Sequence, residues 1–218
     1  MIKALSLRLS LLVALAGLAP FAQAQDAGAG QKKAAMCYGC HGILGYQASF
    51  PQVHKVPKIA GQNAKYIVAA LTAYKKGERK HPTMGAVAGS LTDQDMADLA
   101  AFYESQGAAE AKAAADAAPA APADVAALIA KGACSSCHGP NFNKPIDASY
   151  PKLAGQHGDY LYVALRAYGT EGNPQVGRGN PVMGAQVKPF KPSELKAIAD
   201  YLATMPGDVR TVPESRFR

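Results

Sequence analysis

Tryptophan is absent from this sequence, and aromatic residues make up only 7% of its 218 positions. Charged residues account for 18%, against about 25% in an average soluble domain, which argues against charged coiled coils and acidic disordered tails. No internal stretch reaches the roughly 18 apolar residues of a membrane-spanning helix. The single long apolar run lies at the N-terminus, and peripheral association with a membrane surface stays open. No segment alternates apolar and polar residues as a half-buried strand does. The net charge is +7, but the basic residues are scattered apart from pairs such as Lys32-Lys33 and Lys75-Lys76. Nucleic-acid binders concentrate charge on one face and interleave aromatics, so no nucleic-acid partner is expected.

The N-terminal run has the layout of a secretory signal. Lys3 and Arg8 give a positive start, Leu9 to Leu18 an apolar centre, and Ala22-Gln23-Ala24 a small-x-small cleavage pattern. The segment is short and ends at Pro20, which weighs against an uncleaved anchor. Residues 1–24 are therefore expected to be a cleaved signal peptide, and the mature chain to be periplasmic, in an oxidising space. Without the leader the net charge falls to +5.

Four cysteines are present, all in two copies of one motif, and around them the chain repeats itself. Cys37-Tyr38-Gly39-Cys40-His41-Gly42 matches Cys134-Ser135-Ser136-Cys137-His138-Gly139. Pro57-Lys58-Ile59-Ala60-Gly61-Gln62 matches Pro151-Lys152-Leu153-Ala154-Gly155-Gln156, and Tyr66 and Tyr74 match Tyr160 and Tyr168. Pro82-Thr83-Met84-Gly85 matches Pro181-Val182-Met183-Gly184. Two tandem units explain this better than one large domain. The Ala/Pro segment at 108–123 cannot build a core, and Pro119 and Pro122 stop a helix, so it is read as the linker between units at 25–107 and 124–218.

Each unit reads as helical, which makes the fold class all-α. Met96, Leu99, Ala100 and Tyr103 keep the i, i+3, i+4, i+7 spacing of a buried helix face, and Leu195, Ile198, Ala199 and Leu202 repeat it. Thr92 with Asp95 forms a start box, Asp124 is the expected cap before Val125, and Pro192 with Glu194 suits a first turn. Ile67, Leu71 and Tyr74, and likewise Leu161, Leu165 and Tyr168, have helical spacing. Such small units have few large apolar side chains, and a cofactor at the centre would supply the missing core.

Cys-x-x-Cys-His is the pattern of c-type haem attachment: two thiols one turn apart form thioethers with the haem vinyl groups, and the adjacent imidazole ligates iron. A zinc site wants its Cys pairs roughly 15–20 residues apart, whereas Cys40 and Cys134 are far separated in sequence. A thioredoxin-like pair wants a βαβ context that the sequence lacks. Two covalent haem c groups are therefore expected, attached through Cys37 and Cys40 and through Cys134 and Cys137, with His41 and His138 on iron. The other axial ligand follows from the repeat. Of the methionines beyond the leader, only Met84 and Met183 correspond to one another; Met36, Met96 and Met205 align with Ala133, Leu195 and Gln106. Both lie in Pro-x-Met-Gly, read as loop. A thioether paired with His favours ferrous iron and leaves no open position, which points to electron transfer and not to catalysis at iron. No catalytic residue is assigned.

Through these motifs the chain resembles the di-haem cytochromes c4, periplasmic electron carriers built of two class I cytochrome c domains. The Pro-Lys-Ile/Leu-Ala-Gly-Gln block and the last helix with its aromatic also fit. The resemblance implies that the Pro57 and Pro151 carbonyls accept hydrogen bonds from the ligating histidines, and that haem propionates face one another between the domains. The linker is longer and richer in alanine than that family leads one to expect, which weighs against tight docking. Arg79 and Arg178, in the segments leading to the two methionines, are candidates to pair with propionates; His54, His81 and His157 lack repeat partners and are read as surface or loop residues. The resulting expectation is an electron carrier, not an enzyme, shuttling between a quinol-oxidising respiratory complex and a terminal oxidase or reductase. The alternative is the haem subunit of a flavocytochrome-type enzyme that oxidises sulfide.

Overall fold

A computed structural model describes residues 25–107 and 119–213. The expected signal peptide, linker residues 108–118 and residues 214–218 lie outside the described residues. The first half runs α1 (Ala27–Lys33), α2 (Ala35–His41), β1 (Gln47–Ala48), β2 (His54–Lys55), α3 (Ala64–Lys75), β3 (Arg79–Lys80), α4 (Pro82–Gly89) and α5 (Asp93–Ser105). The second runs α6 (Ala123–Lys131), α7 (Cys134–His138), α8 (Gly158–Tyr168), β4 (Gly177–Arg178), α9 (Pro181–Val187) and α10 (Pro192–Thr204). None of the helices among the described residues is long and apolar enough to cross a membrane.

The helix signals act largely as read. Thr92 Oγ1 accepts from the Asp95 N–H while the Asp95 carboxylate accepts from the Thr92 N–H, closing the start of α5. Pro192 opens α10, and the Lys191 N–H donates to the Glu194 carboxylate at 2.6 Å. Asp124 is not a cap: α6 begins one residue earlier, after Pro122, and Asp124 stands in its first turn. The larger correction concerns Pro-x-Met-Gly, which is helix, not loop. Proline has no N–H to lose at the first helical position, so Pro82 and Pro181 start α4 and α9.

Each half has its own core. Met96, Leu99, Ala100, Phe102 and Tyr103 of α5 pack with Ala34, Tyr38, Ala64 and Ile67. Leu161, Ile198, Ala199, Leu202 and Met205 do the same for the second half, with Phe142 and Ala154. In the first half α1 crosses α5 at Gly30, where any side chain would run into the Asp98 carbonyl. There the Asp98 carboxylate accepts from the Asp26 N–H, the Lys33 ammonium and the Gln94 amide.

The halves dock closely, contrary to what the long linker suggested. β3 pairs antiparallel with β4, with Arg79 opposite Arg178. Gln62 and Gln156, both buried, bind the main chain of the opposite half. The segment after α10 also returns to the first half: the Arg210 N–H donates to the Ala60 carbonyl at 3.0 Å, and Val212 packs on the first core.

Candidate functional site

Each Cys-x-x-Cys-His motif occupies a short helix, so its two thiols and its imidazole come from consecutive turns. α2 carries Cys37, Cys40 and His41; α7 carries Cys134, Cys137 and His138. All four thiols are free of disulfides. Burial pushes the Cys37 and Cys134 thiols up from their ordinary value, as expected of thiols facing an apolar space and not of exposed redox thiols.

The two histidines are held alike. His41 Nδ1 lies 2.8 Å from the Pro57 carbonyl oxygen, and His138 Nδ1 lies 3.3 Å from that of Pro151. A carbonyl only accepts, so Nδ1 carries the proton and donates, leaving the Nε2 lone pair free for a metal. Burial lowers the pKa of both rings and keeps them neutral, against the opposing carbonyl bond. The charges of Arg79 and His81 add to this at His41, so the β3–α4 segment that precedes Met84 lies near that ring.

Met84 and Met183 each sit at the third position of a helix whose cap residue accepts the methionine N–H. His81 Nδ1 does so at 3.4 Å and Asn180 Oδ1 at 2.9 Å. The sequence does not announce these caps, because His81 and Asn180 differ in type and Pro-x-Met-Gly reads as a loop.

Between the halves lies a polar cluster. Arg79 donates to the hydroxyls of Tyr66 at 3.1 Å and Tyr160 at 2.7 Å, and Arg178 donates to Tyr160 at 3.1 Å. Arg79 also lies over the Tyr74 ring, and Arg178 over the Tyr168 ring. Burial works against ionisation of Tyr160, but the two guanidiniums outweigh it and bring the phenol down to about 8. Burial pushes the Tyr66 phenol up to about 12. Neither arginine pairs with a carboxylate among the described residues, and Arg79 Nε is buried without a partner. His54 stacks on Tyr160 and is buried, not a surface residue as its lack of a repeat partner suggested. A cavity of about 230 Å³ adjoins Arg79, lined by His81 and Gly85 of one half and Pro174 and Gln175 of the other.

These features suit haem. Thiols for two thioethers, an imidazole with a free Nε2 and a half-buried thioether occur once per half, and two half-buried guanidiniums lie between the halves, where they suit carboxylates.

Comparison with known proteins agrees. The cytochrome c family profile matches residues 26–106 and again 122–206. Cytochrome c4 of Pseudomonas aeruginosa is 33% identical over 203 residues, covering 90% of this chain and 96% of that protein. A thiosulfate dehydrogenase electron acceptor of Stutzerimonas stutzeri is 32% identical over 188 residues, covering 81% of this chain and 82% of that protein. The structure of reduced recombinant cytochrome c4 from Pseudomonas stutzeri superposes with a TM-score of 0.60 at 29% identity, covering 84% of this chain and all of that one. The two matched halves and the two attachment motifs they contain make this chain a member of the cytochrome c4 family, a di-haem electron-transfer protein of two tandem cytochrome c domains with covalently bound haem.

Proposed function

We propose that the chain is a periplasmic electron shuttle, exported by a signal peptide at 1–24, whose domains span 25–107 and 124–218. It takes single electrons from a quinol-oxidising respiratory complex and delivers them to a terminal oxidase or reductase. Cys37 and Cys40 hold one haem and Cys134 and Cys137 the other, with His41 and Met84, and His138 and Met183, as the axial pairs. Bound haem supplies a one-electron ferric/ferrous couple. The protein's part is to keep that couple closed to other chemistry and in one geometry. Pro57 and Pro151 fix the tautomer and orientation of the imidazoles, which also makes them stronger donors. His81 and Asn180 fix the helix turns that carry the methionines. Arg79 and Arg178 place positive charge where the halves meet. The observation that carries the reading is the repetition of the whole donor set in both halves, with the two histidines held by the same proline bond.

A second reading has a specific observation in its favour: the relative named a thiosulfate dehydrogenase electron acceptor. On that reading the donor is a sulfur-oxidising dehydrogenase and the chain accepts its electrons, akin to the haem subunit of a sulfide-oxidising flavocytochrome. A shuttle forms weak, salt-sensitive complexes, whereas an enzyme subunit forms a tight one. Purification from the native host therefore separates the two, the shuttle running alone and the subunit arriving with its dehydrogenase.

The ligand assignment is tested through the weak near-infrared charge-transfer band of thioether-ligated ferric haem. Met84→Ala should remove half of the band and open that iron to cyanide, Met183→Ala should remove the other half, and Met36→Leu should change nothing. A full band in Met84→Ala refutes the assignment.

A further inference from the structure

At the repeated Pro-Lys-Ile/Leu-Ala-Gly-Gln segments the contact between the halves is reciprocal bond for bond. The Lys58 N–H donates to Gln156 Oε1 at 2.9 Å, and Gln156 Nε2 donates back to the Lys58 carbonyl at 2.8 Å. Mirroring this, the Lys152 N–H donates to Gln62 Oε1 at 2.8 Å, and Gln62 Nε2 donates to the Lys152 carbonyl at 3.0 Å. Each glutamine amide thus reads one residue of opposing main chain as a strand neighbour would. The lysine ammonium groups repeat the symmetry: Lys58 Nζ donates to the Gly155 carbonyl at 2.6 Å and Lys152 Nζ to the Gly61 carbonyl at 2.8 Å. Gly61 and Gly155 have φ of +81° and +73°, a left-handed turn that brings their glutamines onto the same face as their lysines.

These residues are the repeated hexapeptides Pro-Lys-Ile/Leu-Ala-Gly-Gln, in which one aliphatic position alone differs. The β3–β4 pair obeys the same symmetry, since Arg79 stands opposite its own counterpart Arg178. An interface in which residue i meets j and j meets i is isologous, the kind that joins identical subunits about a two-fold axis. Here it joins two halves of one chain.

We propose that residues 58–62 with β3 form a self-complementary docking face, whose partner of matching chemistry is a second copy of the first half. The face does not depend on features peculiar to the second half. The contacts that do are separate: the Arg210 N–H on the Ala60 carbonyl at 3.0 Å and the Lys55 N–H on the Asp159 carboxylate at 2.9 Å. They bias the chain toward pairing first half with second, while the hexapeptides supply the general grip.

The test uses the full haem-loaded chain with a protease site inserted between residues 108 and 118, cleaved after loading and examined by native mass spectrometry. Pairs of two first halves should form beside the mixed pair, and Gln62→Ala should abolish them. If no such pair forms, whether the cleaved halves stay mixed or run singly, the proposal is overturned. The uncleaved chain gives an independent measurement through amide exchange. Gln62→Ala should speed exchange of the Lys152 N–H, and Gln156→Ala that of the Lys58 N–H, each by about tenfold or more. Acceleration on one side only would mean that the two halves of the clasp are not equivalent, and would equally overturn it.

Discussion

Replacing Asp98 tests how the first half holds the helix that leads into its Cys-x-x-Cys-His motif. The carboxylate accepts from the Asp26 N–H at 3.0 Å, Lys33 Nζ at 3.1 Å and Gln94 Nε2 at 2.6 Å. Asp26 is the cap of α1 and Lys33 lies in its last turn, so one carboxylate grips both ends of α1. Each hydrogen bond to a charged group is worth about 1.5–3 kcal/mol, but the three do not add. Lys33 keeps Asp95 at 2.6 Å, and Gln94 can turn to water, so their shares are small. The irreplaceable bond is that of the Asp26 N–H. Asp98→Ala should therefore cost about 2–3 kcal/mol, and Asp98→Asn, which keeps an acceptor there, about 1 kcal/mol. For a unit of this size that is a fall in melting temperature of roughly 10–20 °C for the alanine variant. Ala197 occupies the matching place in α10, so the second half has no equivalent set of bonds to lose. The Asp26 N–H holds the Asp98 carboxyl below its ordinary pKa, with burial opposing and Lys33 and Gln94 assisting. Its contribution is complete above that ordinary value and is lost as the pH falls through the depressed one; Asp98→Asn has no such dependence. Thermal unfolding of the loaded protein at neutral and acid pH measures both effects. An asparagine variant that melts like the wild type and keeps its full acid sensitivity would refute the reasoning.

Two further outcomes follow from the same structure. His157, at the cap of α8, has its pKa lowered to about 4 by burial and by the nearby charges of Lys58 and Lys55, against Asp159. Protonation opposes this fold, so stability is full above the ordinary histidine value and falls between there and about 4. His157→Asn, the residue found at the matching position 63, should flatten that part of the pH–stability curve, and an unchanged slope would exclude His157 as its source. Replacing both Cys134 and Cys137 with Ala should unfold the second half while residues 25–107 still attach haem. Circular dichroism with mass spectrometry measures this, and a folded second half without haem would show that haem is not its missing core.

The attachment motifs, the duplicated units and the helices around them were legible because each has a local signal. Thr92 with Asp95 and Pro192 with Glu194 announce helix starts whatever surrounds them. Repetition singles out Met84 and Met183 as candidates, but the proline and glycine within four residues suggest a turn where the chain forms a helix. Proline at the first helical position suits a helix just as well, and α4 and α9 are too short to show a periodic apolar face. The docking of the halves was the least legible feature. Its bonds run from side chain to main chain across more than 80 residues of sequence, and main-chain partners leave no residue type to recognise. One signal did exist: Gln62 and Gln156 are identical in both repeats, with no helix or core position to account for them. The burial of His54 is illegible for the related reason that its stacking partner, Tyr160, belongs to the other half.

The two half-buried arginines at the centre of that contact present a problem of sign. Arg79 and Arg178 are register partners on adjacent strands, and like charges directly opposite one another destabilise a sheet. Their hydrogen bonds go to tyrosine hydroxyls, and Arg79 Nε has none. If the cations met nothing else, removing one would relieve repulsion, and Arg79→Gln would stabilise the docked protein. The resemblance implies haem propionates facing one another between the halves; if the two arginines pair with them, removing one breaks charge-assisted bonds worth about 1.5–3 kcal/mol and leaves an anion short of a partner. The second outcome is expected. Arg79→Gln should lower the melting temperature of the loaded protein and raise the radius of gyration measured by small-angle scattering as the halves loosen. A more stable and equally compact Arg79→Gln variant would mean that no anion sits between the halves, and that the tyrosines alone carry the two charges.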